Sequence, residues 1–301
     1  MKVGSAIRRL GEDARLRLDT ALYRVEHRPS RWRDPATLDN PNTIFSRSRC
    51  AELAGHVERM AYADGQLRSR IADSRIEGVR AWEYGTLLAT LGRYPERLGW
   101  NALDVGSGNS TFPLYLVNSG NVDDLVALDL PAAHELQSAA NPARERAGGV
   151  RRVNGSMLEL PFDAETFDLV TSISAIEHLD GDRHVEPKLA YEPYLDRTRT
   201  ALREMMRVLR PGGHLFVTTD AYIPELQTTD AWRKGEPIDG TMWSSYRYED
   251  IERTFLATIE AAGGDVADPD YDAWLLRDSI DRATYRGRFF TTFAIWARKA
   301  G

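Results

Sequence analysis

The sequence contains very little cysteine, with Cys50 as the only one among 301 residues. A single thiol excludes an intramolecular disulfide and any zinc site that needs several cysteines. The rest of the composition, with 42% hydrophobic and 28% charged residues, is ordinary for a soluble globular protein. We therefore expect a fold held by a conventional hydrophobic core.

Long hydrophobic runs are also missing. No apolar stretch reaches the roughly 18 residues that a membrane-spanning helix needs. The first residues do not include the apolar segment of a signal peptide. The sequence therefore predicts a cytoplasmic protein without stable membrane insertion.

A surplus of basic residues is absent as well. The 39 lysines and arginines are outnumbered by 45 acidic residues, which gives a net charge of -6. Proteins that bind nucleic acids usually present a basic surface. The charge balance therefore disfavours a nucleic acid as partner.

The most informative segment that is present runs from residue 101 to residue 116. Its apolar start predicts a short buried parallel strand, and a tight turn follows at Gly106-Ser107-Gly108. Glycine permits positive φ and lets a ligand approach the backbone closely. The helix that follows would present free N–H groups to an anionic ligand. The segment predicts a nucleotide-cofactor loop in a doubly wound sheet.

The details of this loop discriminate between cofactors. A dinucleotide fingerprint has a third glycine where this chain has Thr111, so an NAD-dependent enzyme is disfavoured. Instead, the acidic residue Asp104 lies two positions before the first glycine. A second apolar segment, 124–130, has the acidic residue Asp129 near its end, 21 residues after Gly108. A carboxylate at that distance lies beside the glycine loop in a βαβ unit and can accept both ribose hydroxyls.

Further blocks follow in order. Residues 150–154 predict a third strand, and Ser156-Met157 comes just after it. Phe-Asp-Leu-Val at 167–170 predicts a fourth strand. A helix over 201–210 is predicted to end at Pro211-Gly212-Gly213, before a fifth strand over 214–219.

These blocks together resemble class I S-adenosylmethionine-dependent methyltransferases, in particular the subgroup that acts on small molecules. The resemblance implies an α/β fold with a doubly wound, seven-stranded, mostly parallel sheet in the order 3-2-1-4-5-7-6. It also implies a helix near 248–262 and a final antiparallel pair of strands, near 265–271 and 288–297. The cofactor implied is S-adenosyl-L-methionine.

The resemblance carries over to specific residues. The glycine loop would hold the methionine end of the cofactor, and the strand ends would hold the ribose and adenine. Ser156 stands where the family usually has an acidic residue that binds adenine. The predicted cofactor-binding residues are Glu83, Tyr84, Asp104, Gly106, Ser107, Gly108, Asp129, Leu130, Ser156, Met157 and Ser174.

The positions of the motifs along the chain predict a division into two regions. Residues 1–95 would form an N-terminal helical extension or lid, and 96–301 the methyltransferase domain, with a substrate-covering insert at about 220–247. Residues 28–49 are predicted as a loop, and helical segments over 50–91 with breaks near 63–65 and at Gly78. The amphipathic pattern over 1–30 fits a helix for packing or homodimer formation, with membrane contact as the alternative.

His178 is the candidate general base, because it follows the fourth strand directly and imidazole titrates near neutral pH. Glu177 is interpreted as structural. An alternative is a metal site at Asp180, Asp182 and His184, although a solvated acidic loop is the simpler interpretation, so no metal is predicted. Further acceptor-side candidates are Asp220, Tyr222, Trp232, Arg233, Lys234, Trp243, Tyr246 and Tyr248.

The predicted function is O-methylation of a small-molecule acceptor such as a sugar, glycan or secondary metabolite. N- or C-methylation stays open, as does a catalytically inactive cofactor-binding partner protein. The blocks that mark nucleic-acid base and protein arginine methylation are not found after the fourth strand. Cys50 lies too far from the motifs to serve as the nucleophile of pyrimidine C5 methylation.

Overall fold

The computed structural model describes somewhat more than half of the chain, including the sheet and its main helices. The described residues are 38, 40–45, 52–63, 79–97, 99–108, 110–131, 149–180, 191–222, 246–267, 269–271 and 290–301. The predicted helix over 1–30 and residues 223–245 of the insert lie outside this set. None of the helices within it is both long enough and apolar enough to cross a membrane.

The described strands form a single mixed sheet. They are β1 (Thr43–Ile44), β2 (Asn101–Val105), β3 (Asp124–Asp129), β4 (Val150–Asn154), β5 (Phe167–Ile173), β6 (Leu209–Tyr222), β7 (Tyr246–Arg247), β8 (Gly264–Asp265) and β9 (Phe290–Lys299). Neighbours run β4-β3-β2-β5-β6 in parallel, and β9 is antiparallel to β6. Short strands β1 and β8 both pair with β9, and β7 pairs in parallel with the last two residues of β6.

Helices cover both faces of this sheet. They are α1 (Ala54–Ala63), α2 (Val79–Leu91), α3 (Phe112–Asn118), α4 (Tyr191–Val208), α5 (Tyr248–Asp250) and α6 (Ala257–Ala261), with a π-helical stretch (Ile251–Leu256) between the last two. One buried cluster joins the sheet to α4 and to residues 251–259, and a second joins it to α2 and α3. Two cores on opposite faces are what a doubly wound parallel sheet requires. The predicted α/β class with a doubly wound, mostly parallel sheet is confirmed, but the described residues form nine strands where seven were predicted.

The segment before β6 differs from the prediction. Helix α4 begins at Tyr191, ten residues earlier than predicted, because its buried positions, such as Leu195 and Leu202, continue the apolar face. It ends at Val208, and the Leu-Arg-Pro-Gly-Gly block already belongs to β6. Leu209 pairs with Phe167, and a register shift follows before the regular ladder. The predicted helix end at residue 210 was therefore wrong.

The edge of the sheet beyond β9 also differs. Residues 28–49 were predicted as a loop, but β1 pairs with β9. The Asn42 side chain supports this pairing, since Oδ1 accepts from the Trp296 N–H (2.6 Å) and Nδ2 donates to the Ala267 carbonyl (2.7 Å). The strand predicted over 265–271 is reduced to β8 and an isolated bridge between Thr43 and Asp270. Side-chain hydrogen bonds between residues so far apart in sequence leave no periodic pattern in the sequence.

His214 gives the fold a defined pH dependence. It is 4% exposed and lies against Tyr94 (ring centroids 4.5 Å apart) and Trp296 (4.9 Å). Burial, aided by the charge of Arg298, lowers its pKa from 6.5 to about 4. The unfolded chain therefore binds a proton between these two values while the native chain does not.

We expect this histidine to leave the free energy of unfolding at its full value above pH 6.5 and to lower it progressively as the pH falls towards 4. The loss at the acid end amounts to about 3 kcal/mol of unfolding free energy. Urea unfolding of the wild type and of His214→Phe at several pH values measures it. The variant should lack this part of the slope, whereas equal slopes would contradict the assignment.

Candidate functional site

The glycine loop begins where β2 ends. Gly106 has φ +75°, and its N–H donates to the Leu128 carbonyl (2.8 Å). A Cβ on Gly106 would lie 2.4 Å from the Cβ of Ala175. At Gly108 (φ +56°), by contrast, no heavy atom of the described residues lies within 4 Å of an added Cβ. Gly106 is thus required by packing, and Gly108 borders open space.

Asp129 reaches this loop from the end of β3, as predicted. Its Oδ2 accepts from the Gly108 N–H (2.6 Å), and its Oδ1 accepts from the Leu130 N–H (2.7 Å). Each carboxylate oxygen retains a lone pair for a further donor. Leu130 is 50% exposed beside it, which is unusual for a large apolar side chain next to a strand end.

Asp104 lies in the interior below the loop. It is 5% exposed, and Oδ1 accepts from the Thr171 hydroxyl of β5 (2.7 Å). Burial raises its pKa to about 6, although the Thr171 hydrogen bond opposes the shift. This carboxylate joins β2 to β5 directly beneath the turn.

Ser156 and Met157 come to the same edge of the sheet. The Gly155 N–H donates to the Asp129 carbonyl (3.0 Å), which fixes the segment after β4 beside the end of β3. The Met157 Cε lies 3.5 Å from the position of a Cβ on Gly106. The Ser156 hydroxyl accepts from the Leu158 N–H (3.1 Å). The predicted loop, ribose and adenine segments are therefore neighbours in space.

Arg152 of β4 is a residue of this region that was not predicted. Its Nη1 donates to the Gly108 carbonyl (2.7 Å) and its Nη2 to the Ser110 carbonyl (3.4 Å). Its pairing with Ala127 in the sheet register places it near the loop. The only sequence signal is an arginine in the third strand, which is too common to be diagnostic.

Replacing Arg152 with methionine should weaken binding of S-adenosylhomocysteine about tenfold, because charged donors to two loop carbonyls are lost. Isothermal titration calorimetry measures the effect. Arg151→Met is the matched control, since Arg151 is the preceding residue of the same strand and is exposed. Equal affinities of the two variants would contradict a role of Arg152 in holding the loop.

Helix α2 approaches the loop from the N-terminal region. Tyr84 is 3% exposed and stacks on Phe112 (4.0 Å between centroids, 12° between planes). Its hydroxyl lies 3.2 Å from the Ser110 hydroxyl. Tyr84 therefore packs against the start of α3 and also reaches the end of the glycine loop.

The neighbouring residue, Glu83, is fully buried. Its Oε1 accepts from the hydroxyls of Ser174 and Thr218 (2.6 Å for Thr218), and its Oε2 accepts from Arg80 Nη1 (2.9 Å). Burial alone would lower the pKa of Arg80, but the charges of Glu83 and nearby acidic groups raise it above its usual value. Ser174 itself has φ +43° directly after β5.

His178 lies in a 3₁₀ turn (Ile176–Asp180) just past the carboxyl end of β5, as the sequence predicts. Its side chain is exposed, and its backbone N–H donates to the Ala175 carbonyl (3.0 Å). Glu177 beside it is 3% exposed, and burial together with the charge of Asp220 raises its pKa well above the usual range. The Thr219 hydroxyl lies 3.4 Å from Glu177 Oε2.

The other acceptor-side candidates divide into two groups. Tyr246 is fully buried, stacks on Tyr194 (4.8 Å) and donates to the Ile176 carbonyl (2.9 Å), so it belongs to the core. Tyr248 is half-buried and donates to the Tyr271 carbonyl. The remaining candidates, in whole or in their side chains, lie outside the described residues: Asp180, Asp182, His184, Tyr222, Trp232, Arg233, Lys234 and Trp243.

No group of three or more metal-ligating side chains occurs within the described parts of the chain. Since the loop with Asp182 and His184 is not among them, this finding does not test the metal alternative there.

Comparison with known proteins agrees with the geometry. Residues 103–217, which run from β2 into β6, match the family described as "Methyltransferase domain". The match, the fold and the glycine loop together indicate that residues 103–217 form a methyltransferase domain of the class I S-adenosylmethionine-dependent type, with S-adenosylmethionine as the cofactor.

Similar curated proteins differ in the atom that they methylate. The ubiquinone/menaquinone biosynthesis C-methyltransferase UbiE of Roseobacter denitrificans is 27% identical over 56% of this chain and 67% of the relative. The malonyl-[acyl-carrier protein] O-methyltransferase of Enterobacter lignolyticus is 31% identical over 48% and 49%. The erythromycin 3''-O-methyltransferase of Saccharopolyspora erythraea is 31% identical over 40% and 34%. The chain thus spans between a third and two thirds of these relatives.

Among solved structures, a geranyl diphosphate methyltransferase in complex with GPP and sinefungin is similar to this chain. It aligns with a TM-score of 0.50 at 16% identity, over 79% of this chain and 84% of the other. At this identity the likeness concerns the fold alone.

Proposed function

We propose that the protein transfers a methyl group to a hydroxyl of a small molecule, such as a sugar, glycan or secondary metabolite. The observation that carries this proposal is the position of His178, exposed beyond the carboxyl end of β5 and close to the glycine loop through Ala175. In a doubly wound sheet this edge is where ligands bind. O-methyltransferases among the similar proteins support the reaction class.

The residues around the loop fit the cofactor. The Ser107 hydroxyl is buried and finds no hydrogen-bond partner among the described residues, so a donor or acceptor is available there. Open space adjoins Gly108, and Asp129 has lone pairs for two ribose hydroxyls. Leu130 and Met157 offer apolar contacts for adenine, and Ser156 a polar one. The buried Asp104 supports the turn from below.

When bound, S-adenosylmethionine supplies an electrophilic methyl group that is transferred in line to the acceptor atom. The protein aligns that acceptor with the loop and removes its proton. His178 would take the hydroxyl proton on an imidazole nitrogen. The charge of Asp220, which contributes to the raised pKa of Glu177, would stabilise the imidazolium that forms.

A C-methyltransferase among the similar proteins favours a second candidate, in which a carbon atom of the acceptor is methylated. N-methylation is also compatible with the same crevice. In both reactions His178 need not act as a base. A cofactor-binding partner protein without activity is the remaining alternative, and it predicts cofactor binding without turnover.

We also propose that the acceptor is not a nucleic acid, because the chain carries a net charge of -6. The division into a helical extension (1–95) and a methyltransferase domain (96–301) with an insert at about 220–247 stays a proposal, as does a cytoplasmic location. Homodimer contacts through the N-terminal helices would involve residues outside the described set.

The acceptor can be found by incubating the protein with S-adenosylmethionine and panels of hydroxylated sugars, glycans, phenols and quinones. Release of S-adenosylhomocysteine identifies an acceptor, and the product's mass and NMR spectrum identify the methylated atom. An O-methyl product is expected. A methyl group on carbon or nitrogen would replace the primary proposal with its alternative.

A further inference from the structure

Ser174 is held in a backbone conformation that serine rarely adopts. Its φ of +43° lies in the left-handed region, and Glu165 is the only other described non-glycine residue with positive φ. Such a conformation is unfavourable for serine and persists only where its surroundings impose it. The contacts of Ser174 therefore need a structural reason.

Glu83 supplies most of that restraint. One of its oxygens, Oε1, accepts from the hydroxyls of both Ser174 and Thr218. Thr218 in turn accepts the Ser174 N–H on its hydroxyl (3.1 Å) and on its carbonyl (3.1 Å). The second oxygen of Glu83 binds Arg80, whose Nη1 also reaches the Ile173 carbonyl (3.4 Å). A single buried carboxylate thus connects α2 to Ser174 at the end of β5 and to Thr218 of β6.

The segment that Ser174 begins touches both halves of the site. Ala175 packs against Gly106 so closely that no Cβ fits between them. The Ala175 carbonyl accepts the His178 N–H, and Glu177 lies in the same turn. A change in the backbone at Ser174 would therefore displace a wall of the cofactor loop and the candidate base together.

We propose that Glu83 is a positioning residue, which fixes the backbone of Ser174 and through it the segment 174–178. In this assignment neither Glu83 nor the Ser174 hydroxyl contacts the cofactor directly, which differs from the cofactor-binding role that the sequence predicts for both residues. The part of the proposal that concerns the base rests on the proposed role of His178. The part that concerns the cofactor loop does not.

Two measurements test the proposal. Hydrogen–deuterium exchange of the ligand-free protein reports on segment 174–178 directly, and calorimetry with S-adenosylhomocysteine reports on the cofactor loop. Glu83→Leu should speed exchange in the segment and weaken binding about 30-fold, because two hydroxyl donors and Arg80 lose their buried acceptor. Glu204→Leu is the matched control, since Glu204 also pairs with an arginine three residues away, Arg207, but outside the site.

The variant Ser174→Gly provides the decisive comparison, because glycine adopts positive φ without a side-chain restraint. In the Glu83→Leu background it should recover about tenfold in affinity. A purely structural role of Glu83 would give no such recovery.

Three results would overturn the proposal. They are unchanged exchange in 174–178 after Glu83→Leu, no recovery by Ser174→Gly, or a loss in Ser174→Gly alone as large as in Glu83→Leu. The last result would make the hydroxyl a direct ligand. Because none of these readouts uses the acceptor, failure of the O-methylation proposal would leave them unaffected, and the two failures can be told apart.

Discussion

Gly106→Ala is expected to abolish measurable binding of S-adenosylmethionine and to destabilise the fold. The new Cβ would lie 2.4 Å from the Cβ of Ala175, at a φ of +75°. Backbone strain and overpacking together cost about 2–5 kcal/mol of unfolding free energy. Relief of the clash would move the loop or the segment after β5, both of which line the site. Calorimetry and thermal unfolding measure the two effects.

The same contact provides an internal control. Ala175→Gly removes the opposing Cβ, so the double variant Gly106→Ala/Ala175→Gly should regain part of both stability and affinity. Gly108→Ala, which also has positive φ but faces open space in the described structure, should cost less stability. If the double variant is no better than Gly106→Ala alone, the contact between these residues is not the cause.

The second large effect is expected at His178. His178→Ala should lower methyl transfer to the identified acceptor by about 10²–10⁴-fold, the usual contribution of a general base. Affinity for S-adenosylhomocysteine should stay within about threefold, because the side chain is exposed and the contact with Ala175 is made by the backbone N–H, which the substitution retains. Turnover and calorimetry on the same preparation separate the two quantities.

His178→Gln is the companion variant, since it retains hydrogen bonding but cannot accept a proton as imidazole does. It should be nearly as slow as His178→Ala. Activity close to that of the wild type in both variants would reject the base. N- or C-methylation would then be the better proposal.

The predicted contacts that the structure contains depend on residues close together in sequence or at a fixed βαβ spacing. The turn at Gly106 and Gly108 follows from a strand that must enter a helix within a few residues. The contact between Asp129 and Gly108 follows from adjacent parallel strands, whose carboxyl ends meet at one edge. The alternation of apolar strands and helices similarly indicated a doubly wound sheet.

What was missed depends on neighbours across the sheet. Arg152 contacts the glycine loop only because β4 lies beside β3, and Thr218 meets Glu83 because α2 packs against the sheet. Neither contact leaves a periodic pattern. Tyr246 was considered for acceptor binding because aromatic residues serve both cores and ligand sites, and burial alone distinguishes the two.

We propose that the crevice at the carboxyl ends of β2, β3 and β4 binds S-adenosylmethionine through the glycine loop and Asp129. The most direct measurement is calorimetric titration of the wild type and of Asp129→Ala with S-adenosylmethionine, S-adenosylhomocysteine and NAD, each with and without magnesium. We expect micromolar binding of the two sulfur ligands by the wild type, a large loss in Asp129→Ala, and no binding of NAD. Binding of NAD alone, or equal affinities in the wild type and the variant, would contradict the account.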